Sequence, residues 1–285
     1  GASGFLGTNF LNSLKPSEYN FLCVSRTIPK IKKFKFIKCD LNNILQFTEI
    51  VKKFKPDICI DLSWQGIPDY SKKNNLFNFS IKKKNFKVLV SNCCKKIVSI
   101  GSCWEYGDLI GSAKETFLPT QKLNNFAETK IKILKILQKY NTQNKVKFIW
   151  GRLFFVYGPY AKKNSLLESL ASNHSKGNKV ELKNTKGSHD FIYVKDACNI
   201  IKELSFQDLK SGIYNIGSGN CYTNLEFLNT FLRVVKKNKS NRRLNINKSC
   251  LFSNNSKINN NINYKTNYSL FRGIKATLRE YGIVK

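Results

Sequence analysis

Gly1-Ala2-Ser3-Gly4-Phe5-Leu6-Gly7 opens the chain, and its reading decides the fold. The glycines fall at 1, 4 and 7, and helix-compatible sequence carrying Phe10, Leu11 and Leu14 follows. Without a Cβ, such a loop turns tightly and lets its backbone N–H groups approach a pyrophosphate. The dipole at the start of the next helix favours the same negative charge. On this reading Gly1, Ser3, Gly4, Phe5, Leu6 and Gly7 form a cofactor-binding loop. A glycine triplet alone is weak, because turns are rich in glycine. It gains weight from a surrounding strand–loop–helix unit and from a ribose-binding position about 20 residues on. No residue precedes the loop and the chain contains no Met, so the expectation is a fragment lacking the strand that feeds it. A doubly wound sheet places that strand centrally, so a slot is expected between its two neighbours.

Outward from the loop, strand and helix alternate. Asn20-Phe21-Leu22-Cys23-Val24 is a short apolar run suited to a buried parallel strand. It ends at Ser25-Arg26-Thr27, where an Asp or Glu would pair with the 2′-hydroxyl of NAD. A hydroxyl and a guanidinium suit a 2′-phosphate instead, so Ser25 and Arg26 favour NADP(H) over NAD(H); an ordinary exposed strand-end arginine is the plainer alternative. Phe34 to Ile37 forms a second strand, closing at Asp40-Leu41. Pro56 to Trp64 holds a third strand end, with Leu62, Ser63 and Trp64 approaching the nicotinamide side. A helix around Leu76 to Val90 and a strand from Lys96 to Ile100 follow. This alternation implies an α/β fold with a right-handed, mostly parallel sheet.

Composition narrows the class. The 285 residues suffice for a large α/β domain or a domain with a smaller lobe. No run of 18 apolar residues suggests a membrane span. Nine scattered cysteines (23, 39, 59, 93, 94, 103, 198, 221, 250) contain no CxxC pair, and only two histidines are present. Neither a metal site nor a disulfide framework fits, and a reducing cytoplasm is the simple expectation. The net charge of +31 raises nucleic-acid binding. Lys, Asn, Ile and Phe are inflated together along the chain, however, and no recognised nucleic-acid motif accompanies them. A merely basic surface is the expected reading, and no specific nucleic-acid partner is expected.

Four later segments carry the chemistry. Ser99-Ile100-Gly101-Ser102-Cys103-Trp104-Glu105-Tyr106-Gly107 and Asn124-Asn125-Phe126-Ala127-Glu128-Thr129-Lys130 are followed by Gly151-Arg152-Leu153-Phe154-Phe155-Val156-Tyr157-Gly158-Pro159 and His189-Asp190-Phe191-Ile192-Tyr193-Val194-Lys195-Asp196. With the glycine loop and Asp40-Leu41, they make the chain resemble the extended short-chain dehydrogenase/reductases. The resemblance is to their NAD(P)-dependent epimerase/dehydratase group, which acts on nucleotide-linked sugars. It implies a Rossmann-type doubly wound sheet over 1–155 and a small, mainly C-terminal substrate lobe over 156–285. Asp40 and Leu41 would border adenine. Ser102 would supply the catalytic hydroxyl, and Lys130 would hold the nicotinamide ribose. Trp64, Ser102, Trp104 and His189 would border the substrate, a nucleotide sugar, and a homodimer through cofactor-domain helices is a further implication.

The departures from that pattern shape the functional expectation. Phe126 stands where the family has its catalytic Tyr, so the ring remains without a proton to exchange. Losing a general acid/base costs typically about 10² to 10⁴ in rate. His189 replaces a frequent Arg and Phe155 a frequent Asn. Ser102, Tyr106 or a water are the possible stand-ins for the proton. Oxidation or reduction of a nucleotide-linked sugar is therefore expected, leaning to 4-keto reduction with NADPH. A non-catalytic dinucleotide-binding protein is the alternative, and nucleic-acid binding comes third. His174 is expected in an exposed polar turn, and the Asn/Lys-rich region from about 237 to 262 in a loose connection.

Overall fold

A computed structural model describes residues 1–29, 33–119, 121–182, 184–236, 249–262 and 264–285. After the glycine loop the first half runs α1 (Phe5–Ser13), β1 (Leu22–Ser25), β2 (Lys35–Lys38), α2 (Ile44–Phe54), β3 (Ile58–Asp61), α3 (Lys72–Ser91) and β4 (Lys96–Ser102). Each strand is a short apolar run, and Asn43, Ser71 and Asn124 cap the helices that follow by accepting from backbone N–H groups. The chain continues through β5 (Gly111–Ala113), α4 (Asn125–Asn144), β6 (Lys147–Leu153), β7 (Phe155–Tyr157) and α5 (Leu166–Ser175). Then come β8 (Ser188–His189), β9 (Phe191–Tyr193), α6 (Val194–Phe206), β10 (Gly212–Ile216), β11 (Tyr222–Thr223) and α7 (Asn224–Lys236). β12 (Leu251–Ser253), α8 (Ser256–Ile262) and α9 (Leu270–Glu280) close the described chain.

The main sheet is parallel, in the order β10-β6-β4-β3, and β1 and β2 form a separate parallel pair. Among the described residues no strand bridges β1 and β3. The expected slot is therefore present, as a cavity of about 420 Å³ lined by Cys23 and Val24 on one side and Cys59 and Ile60 on the other. Phe10 and Leu11 of α1 and Phe86 and Leu89 of α3 close its faces. α1 still packs on the remainder of the molecule. Its Asn9 Nδ2 donates to Pro159 O at 2.9 Å, and Phe10, Leu11 and Leu14 join the core formed with α6, α7 and α9. A second core lies on the other face of the sheet, between α2, α3 and α4, around Phe86, Ile133, Leu137 and Trp150.

Three expectations need correction. His174 is exposed, but it stands in the last turn of α5 rather than in a turn between elements, with its ring 6.1 Å from Phe231. Within the Asn/Lys-rich region, 237–248 lies outside the described residues, while 249–262 is ordered as β12 and α8, held by β12 pairing with β5. Cys221 and Cys250 form a disulfide, their Cα atoms 6.1 Å apart across 29 residues of sequence, whereas the other seven cysteines are free. Nothing in a separation of 29 signals that pairing. It arises because β12 returns beside the turn before β11.

Candidate active site

The glycine loop is the first wall of the site. Gly4 caps α1 in an extended conformation, and its N–H donates to Gly1 O at 3.1 Å. A side chain on Gly7 would overlap the carbonyl oxygens of Gly1 and Ala2, and one on Gly1 would strike the backbone of Leu62 and Ser63. The glycines are thus required for the loop to lie flat on the end of β3, which brings Leu62 and Ser63 to its edge. Thr27 Oγ1 donates to Ser3 Oγ at 3.2 Å and joins the β1 end to the same wall. Ser25 is buried and its hydroxyl donates to Thr27 O at 2.6 Å, turning away from a ligand. Arg26 is exposed, and its guanidinium donates to Gln65 Oε1 at 3.3 Å. Asp40 is exposed and accepts from Asn42 N, and Leu41 beside it is half-buried.

The second wall is the end of β4. Ser102 Oγ accepts from Trp104 N at 3.2 Å, while Ser102 N donates to Glu105 Oε1 at 2.7 Å, a reciprocal cap on the short turn Cys103–Tyr106. Glu105 is fully buried and also accepts from Trp150 Nε1 and from Arg152 Nε at 2.9 Å. Only glycine fits at 101, because a Cβ there would overlap Glu105 Oε1 and the Trp150 indole. Tyr106 turns its hydroxyl inward to Asn215 Oδ1 at 2.7 Å, and Arg152 lies over its ring. This phenol is therefore committed to the core.

α4 supplies Phe126 and Lys130, one turn apart on a single face. Phe126 is 6% exposed, and its ring lies 5.1 Å from Trp64, 5.0 Å from Tyr70 and 5.6 Å from Trp104, mostly edge-on. Lys130 Nζ donates to Ile100 O at 2.8 Å and sits 3.8 Å from the centre of the Trp64 ring. Burial, followed by the nearby Lys82 ammonium, pushes its pKa down to about 7. Ser102, Trp104, Phe126, Trp64 and Lys130 thus form one chain of contacts. His189 takes its ring contacts elsewhere, its ring centre 3.9 Å from that of Phe155 and tilted 30° to it, and edge-on to Phe191. Burial holds its pKa below the ordinary imidazole value, so it is neutral at pH 7. The Arg and Asn that the family pattern favours are replaced here by two rings that pack on each other.

Sequence reasoning missed the polar stripe that holds the cleft together. Asn75, Asn78, Lys82 and Asn85 recur at helical spacing on the buried face of α3. Asn75 Nδ2 donates to Tyr70 O, and Asn78 grips Gln65 through both N–H and O. Asn85 Nδ2 donates to Leu41 O. Lys82, 4% exposed, is ion-paired to Asp61 and donates to Ser63 O and Oγ at 2.6 and 2.7 Å. Burial raises the Asp61 pKa, but Lys82 and the Ser63 hydroxyl outweigh it and hold the carboxyl at about 2. Four polar side chains spaced 3, 4 and 3 apart were the available signal.

The NAD dependent epimerase/dehydratase family model matches residues 1–217, and the chain belongs to that family. It is 25% identical over 235 residues to GDP-6-deoxy-D-talose 4-dehydrogenase of Aggregatibacter actinomycetemcomitans, covering 78% of this chain and 74% of that one. An uncharacterized protein of Methanocaldococcus jannaschii is 23% identical over 222 residues, which span 72% of this chain but 64% of the relative's length. Among solved structures, UDP-glucose 4-epimerase of Thermotoga maritima, with UDP-glucose, superposes with a TM-score of 0.84. It is 16% identical and covers 99% of this chain and 97% of its own. UDP-glucose 4-epimerase of Thermus thermophilus, in complex with NAD, gives 0.83 at 19% identity with the same coverage. At these identities the structural likeness establishes the Rossmann-type fold. No helix among the described residues is long and apolar enough to cross a membrane.

Proposed function

We propose that this chain is an NAD(P)-dependent oxidoreductase of nucleotide-linked sugars, directed to 4-keto reduction with NADPH. The observation that carries the reading is the glycine-only loop lying on the backbone of Leu62 and Ser63, next to Trp64, whose indole lies 3.8 Å from Lys130 Nζ. The cradle suits a dinucleotide, because its backbone approaches closely only where Gly1 and Gly7 lack a side chain. Gly1, Ser3, Gly4, Phe5, Leu6 and Gly7 would hold the pyrophosphate, Asp40 and Leu41 the adenosine, and Leu62, Ser63 and Lys130 the nicotinamide end. Bound there, the cofactor supplies hydride exchange with a sugar carbon.

The chain's own groups supply the rest. Ser102, fixed by its cap, orients a sugar hydroxyl or ketone, and Trp64 and Trp104 exclude water from the cleft. His189 borders the substrate lobe as a neutral ring and contributes stacking rather than charge. One fold relative, MoeE5, is solved with NAD together with UDP-glucose and, in a second structure, with UDP-glucuronic acid, which supports the substrate class. A cytoplasmic location and a homodimer through cofactor-domain helices, including α4, belong to the same proposal.

Ser25 spends its hydroxyl on Thr27 O, so the choice of NADPH rests on Arg26 alone. Arg26→Ala is expected to weaken NADPH binding about tenfold or more while leaving NADH nearly unchanged, since a charge-assisted contact to phosphate is lost. Calorimetric titration of both cofactors checks this; an equal effect on the two would show that Arg26 does not read the 2′-phosphate.

A second reading, a dinucleotide-binding protein without catalysis, is favoured by Phe126. Among the described residues Phe126 replaces the expected proton donor, and Tyr106 is committed to Asn215.

A further inference from the structure

Lys130 is enclosed. Ile100 O takes one N–H of its ammonium, the Trp64 indole covers it at 3.8 Å, and the Phe126 ring flanks it at 5.4 Å. With the residue 6% exposed, these groups crowd the nitrogen against a ribose hydroxyl. The indole that makes this contact leaves its own polar atom unmatched. Trp64 Nε1 is buried and has no hydrogen-bond partner among the described residues. A buried N–H without an acceptor is costly, so the cation–π contact with Lys130 holds the indole in a conformer that its N–H group opposes.

The backbone around Trp64 is fixed. Asn78 bonds both the N–H and the carbonyl of Gln65, and Asn74 Nδ2 donates to Gln65 O as well. Movement at this position is therefore confined to the Trp64 side chain. Among the described residues, Gly4, Arg26 and Asp40 at the opposite end are all exposed.

We propose that Trp64 is a specificity-determining plug. It occupies the Lys130 ammonium and closes the nicotinamide end of the cleft, so the resting chain accepts the adenosine-diphosphate half of a dinucleotide freely and the whole dinucleotide only after the indole turns away. This rests on the dinucleotide reading of the site and adds the residue that controls entry to half of it. The ligand class for the resting state is an adenosine diphosphate with or without a 2′-phosphate.

The test measures binding in the full-length protein, by calorimetry, of NADPH and of its adenosine half lacking the nicotinamide ribose. Trp64→Ala and the bulkier Trp64→Leu are each expected to tighten NADPH by on the order of tenfold, the scale of one desolvated cation–π contact, and to leave the adenosine half unchanged. That ligand also reports whether each variant is folded. In the unaltered protein, the Trp64 indole N–H resonance is expected to move on adding NADPH and to stay in place with the adenosine half. NADPH affinity unchanged in the variants, or altered equally for both ligands, overturns the plug while leaving the dinucleotide reading intact. A protein that binds neither ligand overturns both.

Discussion

Phe126→Tyr is expected to raise turnover of a nucleotide-linked 4-keto sugar by about 10² to 10⁴, the typical contribution of a general acid/base. The ring is already in place, one helical turn before Lys130 and flanked by Trp64, Tyr70 and Trp104. What the variant adds is a hydroxyl beside the Lys130 amine, whose protonated form favours the phenolate. Cofactor affinity is expected to stay constant, because Phe126 makes no polar contact that the substitution removes. Measured turnover and NADPH affinity, side by side for both proteins, decide among three situations. A silent parent and an active variant describe a reductase stopped at one oxygen. Equal activity means that another group moves the proton. Tyr70, whose ring lies 5.0 Å from that of Phe126, is then the phenol to remove next. Two silent proteins that both bind cofactor support the non-catalytic reading.

Lys82→Met is expected to destabilise the fold by about 3 to 5 kcal/mol, the usual cost of stranding one member of a buried ion pair. The loss has a distinctive pH dependence. In the parent, Asp61 titrates at about 2, below its ordinary 3.8, so the pair stabilises the fold above about pH 4 and this contribution fades as the pH falls toward 2. Without Lys82, burial dominates and pushes the Asp61 pKa up, so the carboxylate opposes folding wherever it must ionise. The gap in Tm between parent and variant is therefore expected to be widest at neutral pH and to close on acidification below about pH 4. A gap that does not vary with pH would assign the loss to packing alone. The effect also extends to the cleft, since Lys82 holds Ser63 and Asp61 accepts from Ser99 Oγ at 3.1 Å.

The parts of this architecture that obey short-range rules were legible in the sequence. Glycines at 1, 4 and 7 implied a loop that only small residues allow, and the clash of any added Cβ at Gly1 and Gly7 with neighbouring backbone gives the reason. Apolar runs gave β1, β2 and β4 to within a residue or two, and a third strand end within Pro56 to Trp64. The gap between β1 and β3 followed from topology. Ser102, Phe126 and Lys130 were identified by motif, and contacts through Trp104 and Trp64 connect them.

What stayed hidden depends on where side chains point. Ser25 had the right chemistry for a 2′-phosphate, yet its hydroxyl is spent on Thr27 O. Tyr106 looked available for proton transfer until Asn215, 109 residues later, took its hydroxyl. Asn75, Asn78, Lys82 and Asn85 were masked by composition, because a chain rich in Lys and Asn makes each of them look like surface. Their helical spacing was visible, but their burial was decided by the loops after two strands, β2 and β3. His189 and Phe155 read as two separate losses; with ring centres 3.9 Å apart they are one rearrangement.

The central claim is that the cleft at the glycine loop binds a nicotinamide dinucleotide, and a calorimetric titration of NADPH at low and high salt tests it most directly. A net charge of +31 ensures weak, salt-sensitive association with any polyanion. The account predicts saturable one-to-one binding that persists at high salt and is abolished by Gly7→Val, whose side chain would fall on the Gly1 and Ala2 carbonyls. Binding that disappears with salt, or that ignores Gly7→Val, would contradict it.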